Sequence, residues 1–95
     1  MARPDNESDI FRAIAHSARR QMIAFLSSNP DASAGQVYEA CKLTYGTGST
    51  HMKVLTQSGL VNVQSRGVSN HFRVDKQALK KLATEISNLG RAQSK

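Results

Sequence analysis

The chain has one cysteine, Cys41, and no tryptophan. From Cys41 to Val74 it also has no Asp or Glu. A single cysteine excludes an internal disulfide framework and a cysteine-rich zinc site, and it fits a reducing cytoplasm. Three Phe and two Tyr are the only aromatic residues, too few to furnish a stacking platform for single-stranded nucleic acid. No apolar run approaches membrane-spanning length, and Met1–Glu7 is too polar to open a secretory signal. The expectation is a cytoplasmic protein with no membrane partner. There is no internal repeat or low-complexity segment, and 95 residues leave room for one small domain.

What is present is positive charge. Thirteen Lys and Arg against seven Asp and Glu leave a net charge of +6, and the sequence pI is about 10.0. Such a balance fits nucleic acid, an anionic membrane surface or an acidic protein, and composition does not choose among them. The distribution is more informative. In the acid-free stretch the only charges are Lys42, Lys53, Arg66 and Arg73, all positive. A surface facing a polyanion needs this, because each carboxylate there would repel phosphate.

The pattern predicts a flexible segment over 1–8, one domain over 9–90 and a polar tail over 91–95. Ile10, Phe11, Ile14 and Ala15 recur at helical spacing in a first helix, Ser8–Ala15. Ser17 is the expected N-cap of a second, Ala18–Ser27, with Met22, Ile23, Phe25 and Leu26 inward. Asn29-Pro30-Asp31 is a turn. Ser33 and Gln36 have capping-box spacing and open a third short helix through Val37, Ala40 and Cys41 to Leu43. Thr44 is the N-cap and Gly59 the stop of a fourth, about Tyr45–Gln57, which turns Gly48, Met52 and Leu55 to one side. Leu60, Val61 and Val63 begin a strand, Arg66–Ser69 is the turn, and His71–Val74 returns with Phe72 and Val74 alternating. Asp75 caps a last helix, Lys76 to about Leu89, ended by Gly90. Its stripe of Leu79, Leu82, Ala83, Ile86 and Leu89 is too long for the core of one subunit.

Three segments together resemble a known family. DIFRAIAHSARRQMIAFL is similar to the entry of the ArsR/SmtB-type winged helix-turn-helix repressors. GSTHMKVLTQSGLV is similar to their recognition helix and its exit, and HFRVD to the return strand of their wing. The resemblance covers roughly Asp9–Leu89. It implies a mainly α fold with a β-hairpin wing, in the order α-α-α-α-β-β-α, as a homodimer through the first and last helices. It also implies double-stranded DNA as partner. The aliphatic stripe of the last helix and Ile10, Phe11 and Ile14 of the first suit such an interface, although both could instead close the monomer core.

A recognition helix enters the major groove with its N-terminal residues near base edges. Tyr45, Gly46, Ser49 and Thr50 occupy that end. Ser and Thr hydroxyls serve several bases, and a Thr methyl packs on thymine. Lys53, a turn further on, suits a phosphate. His51 reaches either the groove or the seam with the third helix. Arg66, beside Gly67 at the wing tip, is a phosphate or minor-groove candidate, and Arg19 or Arg20 offers a further backbone contact. Gly46 and Gly48 stand where the family more often has a polar residue and a small aliphatic. They either loosen the helix start or permit close approach to a backbone.

The metal sites of that family are not matched. Where it carries a Cys-x-Cys pair on the third helix, this chain has Ser33 and Gly35, and Cys41 reads as a small core residue. Where it carries Asp/His and His/Glu pairs on the last helix, there are Asp75 and Glu85 but no histidine. No metal, cofactor or dithiol switch is expected. No catalytic residues are expected either. Ser49 and His51 do not face each other as nucleophile and base must, and there is no phosphate-binding loop followed by Lys-Ser/Thr. The function expected is a dimeric, sequence-specific transcriptional repressor at a palindromic operator. The alternative is a winged-helix protein-interaction module for an acidic partner, against which the polar Ser-Thr helix start speaks.

Overall fold

The computed structural model describes residues 6–92. Along the chain run α1 (Asn6–Ile14), α2 (Ser17–Ser28), β1 (Ala32–Ser33), α3 (Ala34–Ala40), α4 (Tyr45–Ser58), β2 (Val61–Arg66), β3 (Ser69–Val74) and α5 (Lys76–Ala92). This is a winged helix-turn-helix, mainly α with a β-hairpin wing, and it has one element more than expected. β1 pairs antiparallel with β3, Ala32 opposite Phe72 and Ser33 opposite His71, giving a sheet of order β1-β3-β2. Two residues are too few for a periodic signal, so β1 is invisible in the sequence. Most of the expected flexible segment 1–8 and of the polar tail 91–95 lies outside the described residues. α1 is already helical at Asn6, and α5 passes the expected stop at Gly90 to reach Ala92.

At the corner between α1 and α2 the last carbonyls of α1 need partners, as at any helix C-terminus. Arg19 and Arg20 provide them. Nε of Arg19 donates to the Ala13 carbonyl at 3.0 Å and Nη2 to that of Arg12 at 2.9 Å. Nη1 of Arg20 donates to the Ile14 carbonyl at 2.6 Å. Both arginines therefore close a helix end, where a cation also suits the helix dipole. The N-cap of α2 is His16 rather than Ser17: its backbone is extended and its Nδ1 accepts from the Ala18 N–H at 3.2 Å. Histidine is not among the favoured cap residues, which shifts a composition-based start by one position.

The helix-turn-helix is built from local caps. Ser33 and Gln36 form the expected box, Ser33 Oγ accepting from the Gln36 N–H at 3.3 Å and Gln36 Oε1 from the Ser33 N–H at 2.9 Å. α3 ends at Ala40, short of Leu43, in a Schellman turn. Lys42 takes φ +58, its N–H reaches the Glu39 carbonyl and the Leu43 N–H reaches that of Tyr38. Thr44 then caps α4, accepting from the Thr47 N–H at 3.3 Å, and Gly59 leaves it with φ +86. Ser58 is buried and ties this exit to the wing: its Oγ donates to the Leu55 carbonyl at 2.7 Å and accepts from the Leu60 N–H at 3.1 Å.

α4 buries Gly48, Met52, Leu55 and Ser58, a row at helical spacing. From α3 the buried residues are Val37 and Tyr38, while Ala40 is exposed and Cys41 half-buried at the cap. Tyr38 lies directly against Gly48. A Cβ built on Gly48 would stand 2.5 Å from Tyr38 Cδ1, whereas one on Gly46 would meet nothing within 4 Å. The close approach that Gly48 permits is thus to an aromatic ring of its own fold.

The core gathers Met22 and Leu26 of α2, Val37 of α3, Leu55 of α4, and Leu60 and Val61 at the start of the wing. α5 is capped by Asp75, whose Oδ1 accepts from the Gln77 and Ala78 N–H groups, each at 3.1 Å. Only its first turns reach the core: Leu82 is buried, while Ile86 and Leu89 are 44% and 58% exposed. Between α1, α2 and α5 lies an open apolar groove of about 250 Å³, lined by Ile14, Ile23, Leu79, Leu82, Ala83 and Ile86, with Arg20 at its margin.

The two glycines should respond oppositely to the same change. Gly46→Ala fills open space in a helix and is expected to raise stability by up to about 1 kcal/mol. Gly48→Ala makes the same propensity gain but drives a methyl into Tyr38, and is expected to lower stability by roughly 1–3 kcal/mol. Urea denaturation of both variants checks this; a Gly48→Ala protein as stable as the parent would contradict the packing.

Candidate nucleic-acid interface

One edge of α4 is polar and open. Tyr45 is 71% exposed, and Gly46, Ser49, Thr50 and Lys53 are all exposed. The row that buries Gly48, Met52 and Leu55 turns this edge outward. Tyr45 is held in place by its neighbour: its ring meets that of Tyr38 edge to face, with centroids 5.3 Å apart and planes at 83°. Burial, with the Tyr45 hydroxyl nearby, pushes the Tyr38 phenol above its ordinary pKa and keeps it neutral. The Thr50 hydroxyl donates to the Gly46 carbonyl at 3.1 Å. Its proton is engaged within the helix, which leaves its methyl and a lone pair for an outside group.

An open cleft of about 390 Å³ separates this edge from the wing. Tyr45, Ser49 and Lys53 line it from α4, and Val63 and Asn70 from the sheet. The sequence did not single out Val63 and Asn70 as site residues. Their alternation with the outward residues of the hairpin could have marked them, since both fall on the face that carries Val61 and Phe72.

His51, expected at the groove or at the seam with the third helix, is turned away from this exposed edge. It is half-buried against the α1–α2 corner, where Arg19 Nη1 donates to its Nδ1 at 3.1 Å. Arginine can only donate, so Nδ1 carries the lone pair and the imidazole is neutral with its proton on Nε2. The His16 ring lies 4.5 Å away, centroid to centroid, at 54°. Burial first, then the charges of His16 and Arg19, hold His51 below the ordinary imidazole pKa. His51 locates α4 on the scaffold.

The wing is less basic in space than in sequence. Asp31, from outside the acid-free stretch, reaches both of its arginines. Arg73 donates to it from Nε at 3.1 Å and from Nη2 at 2.6 Å. Nη2 of Arg66 stands 3.5 Å from Asp31 Oδ2 and 3.4 Å from Gln64 Oε1. The Arg66 side chain therefore folds back from the hairpin tip along the outer face of the sheet. Asp31 has φ +67, its N–H donates to the Phe72 carbonyl at 2.9 Å, and its own carbonyl accepts from His71 Nδ1 at 2.9 Å. Hydrogen bonding from Arg73, opposed by partial burial and helped by Arg66, holds its carboxyl below the usual range.

Among the described residues no three His, Cys, Asp or Glu side chains are grouped to hold a metal ion. Asp75 is committed to capping α5, and burial pushes the Cys41 thiol above its ordinary pKa. No described helix is long and apolar enough to cross a membrane.

No family model and no curated protein matches this sequence. Solved structures do. A possible transcriptional regulator for arsenical resistance is 25% identical over 85% of this chain and 83% of its own, with a TM-score of 0.77. An ArsR-like transcriptional regulator from Rhodococcus sp. RHA1 is 21% identical over 92% and 79%, with a TM-score of 0.80. A homodimeric winged helix-turn-helix DNA-binding domain from Mycobacterium bovis, described as a possible ArsR-family regulator, is 18% identical over 92% and 80%, with a TM-score of 0.73. The chain has the winged helix-turn-helix fold of ArsR-type transcriptional regulators.

A histidine whose pKa is lower folded than unfolded makes stability fall as pH drops. The unfolded chain takes up its proton first, near pH 6.5, and the loss levels off once the folded group is also protonated. The urea midpoint should therefore decline as pH drops below about 6.5. The decline should be smaller in His51→Gln, whose amide oxygen still accepts from Arg19. Equal slopes in the two proteins would show that His51 does not carry the effect.

Proposed function

We propose that the protein is a transcriptional regulator of the ArsR/SmtB type, a homodimer that binds double-stranded DNA and represses by occupying a palindromic operator. The carrying observation is the exposed edge of α4, with Tyr45, Gly46, Ser49 and Thr50 at its N-terminal end and Lys53 a turn on. The first four face base edges, with the Thr50 methyl suited to thymine, and Lys53 takes a phosphate. Arg66 contributes from the wing. His51 supports the helix from behind. Neither of the metal-ligand sets usual in that family has its counterpart here, so no metal is assigned. The protein acts in the cytoplasm.

The groove beside α5 supports self-association. Ile86 and Leu89 lie exposed next to it, and a second copy would cover them. The homodimeric state of the Mycobacterium bovis domain supports the same arrangement. Two α4 helices related by a two-fold axis would read half-sites roughly 10 bp apart or a multiple of that. Exposed Val63 and Val68 on the wing favour the other reading, an acidic protein partner, in one respect: apolar residues among basic ones also suit a protein surface.

Selection from random duplexes, followed by titration over a salt series, tests this. Lys53→Ala is expected to weaken binding to every duplex and to reduce the salt slope by about 0.9 for each lost phosphate contact. Arg66→Ala should act in the same direction but less, given its contact with Asp31. Ser49→Ala and Thr50→Ala should change sequence preference, each costing about 1 kcal/mol on the selected site. Ile86→Glu with Leu89→Glu should shift the sedimenting species to monomer. Absence of salt-sensitive binding to any duplex would sink the DNA reading and move the assignment to a protein partner.

A further inference from the structure

Lys42, Lys53, Arg66 and Arg73 are the four charges of the acid-free stretch, and Asp31 reaches the two that lie on the wing. We propose that Asp31 is an internal surrogate for a DNA phosphate, holding Arg66 and Arg73 in the free protein and yielding Arg66 to the DNA backbone on binding. This rests on the DNA-binding reading above and names how that same site limits its own affinity.

The two arginines are held unequally. Arg73 grips Asp31 with two nitrogens, the fork geometry in which guanidinium matches carboxylate best. Arg66 makes one contact at 3.5 Å and its side chain is 47% exposed. Arg66 is therefore the one that a phosphate removes, and Arg73 stays. Asp31 cannot follow the departing guanidinium, because its backbone is pinned on both sides by hydrogen bonds to Phe72 and His71. A carboxylate fixed there also repels phosphate directly. Both effects act on any DNA regardless of sequence, since phosphate contacts carry no sequence information. Asp31 thus restrains non-specific binding and leaves the α4 edge to decide between sequences.

Asp31→Asn tests this. Asparagine tolerates the left-handed backbone as aspartate does, so the fold is retained; Asp31→Gly is the second variant, with the same tolerance and no side chain. Circular dichroism and thermal melting establish that each is folded. Binding to the selected operator and to an unrelated duplex is then titrated across a salt series. The expected result is tighter binding to both duplexes, by several-fold at low salt, because Arg66 no longer leaves a carboxylate to reach phosphate and no fixed acid repels the backbone. The ratio of operator to unrelated affinity should not rise. Arg66→Ala should cost more in the Asp31→Asn protein than in the parent. A folded Asp31→Asn that binds no tighter overturns the proposal, as does an Arg66→Ala effect equal in the two backgrounds. In either case the parent still binds DNA, which separates this failure from failure of the DNA reading itself.

Discussion

How α3 and α4 lie on each other depends on one contact, the Tyr38 ring against the bare backbone of Gly48. α3 has only seven residues, too few to be stable as a helix alone. It takes its position from the two side chains it buries, Val37 and Tyr38. The absent Cβ of Gly48 lets the ring and α4 approach closely, which sets how the two helices lie on each other. The Schellman turn at Lys42 and the Thr44 cap then leave the chain between them little freedom. Tyr45 leans on the same ring. The first turn of α4, which two glycines would otherwise loosen, is thus held from inside by Tyr38 and from its own N-terminus by Thr44.

Electrostatics at the wing follows from backbone geometry rather than from composition. A stretch without carboxylates is a property of the chain; a surface without them is a property of the fold. Asp31 reaches the wing because it enters β1 through a left-handed turn, and β1 exists because its two residues find an edge on β3. The carboxylate is displayed beside Arg73 as a consequence of that pairing. Exposed ion pairs of this kind contribute little to stability. Their consequence would be felt by a polyanion, which would meet a wing with part of its charge already satisfied.

The devices legible in the sequence are those that close within a few residues. Ser33 with Gln36, Thr44 with Thr47, Gly59 and Asp75 all act over three positions or fewer, so residue type and spacing reveal them. The buried row of α4 and the alternation of Phe72 and Val74 are legible because helix and strand periods are fixed. What escaped depends on distance along the chain. His51 meets Arg19 across 32 positions, and Asp31 meets Arg73 across 42. Arg66 is at the hairpin tip by backbone, as its neighbour Gly67 indicates, yet its charge lies elsewhere. The shortened α3 was hidden because Lys42, rather than Gly or Asn, adopts the left-handed turn. Gly90 misled for the opposite reason: glycine permits a helix to end but does not oblige it to, and α5 continues through it.

The apolar groove and the inner side of α4 are joined by two adjacent residues. Arg20 caps α1 through the Ile14 carbonyl and stands at the margin of the groove. Arg19 caps the same helix through Arg12 and Ala13 and extends its third nitrogen to His51 on α4. The end of α1 is therefore a shared anchor for the surface a second copy would cover and for the helix that would read DNA. α5, about 25 Å long, seats only its early turns on the core, and because Ile86 and Leu89 are 44% and 58% exposed, covering them would add roughly 1 kcal/mol each. A second copy pressed against α1 and α5 would meet α4 through a guanidinium fixed on three acceptors rather than through a flexible loop. The spacing of two reading helices in such a dimer would inherit the rigidity of that corner.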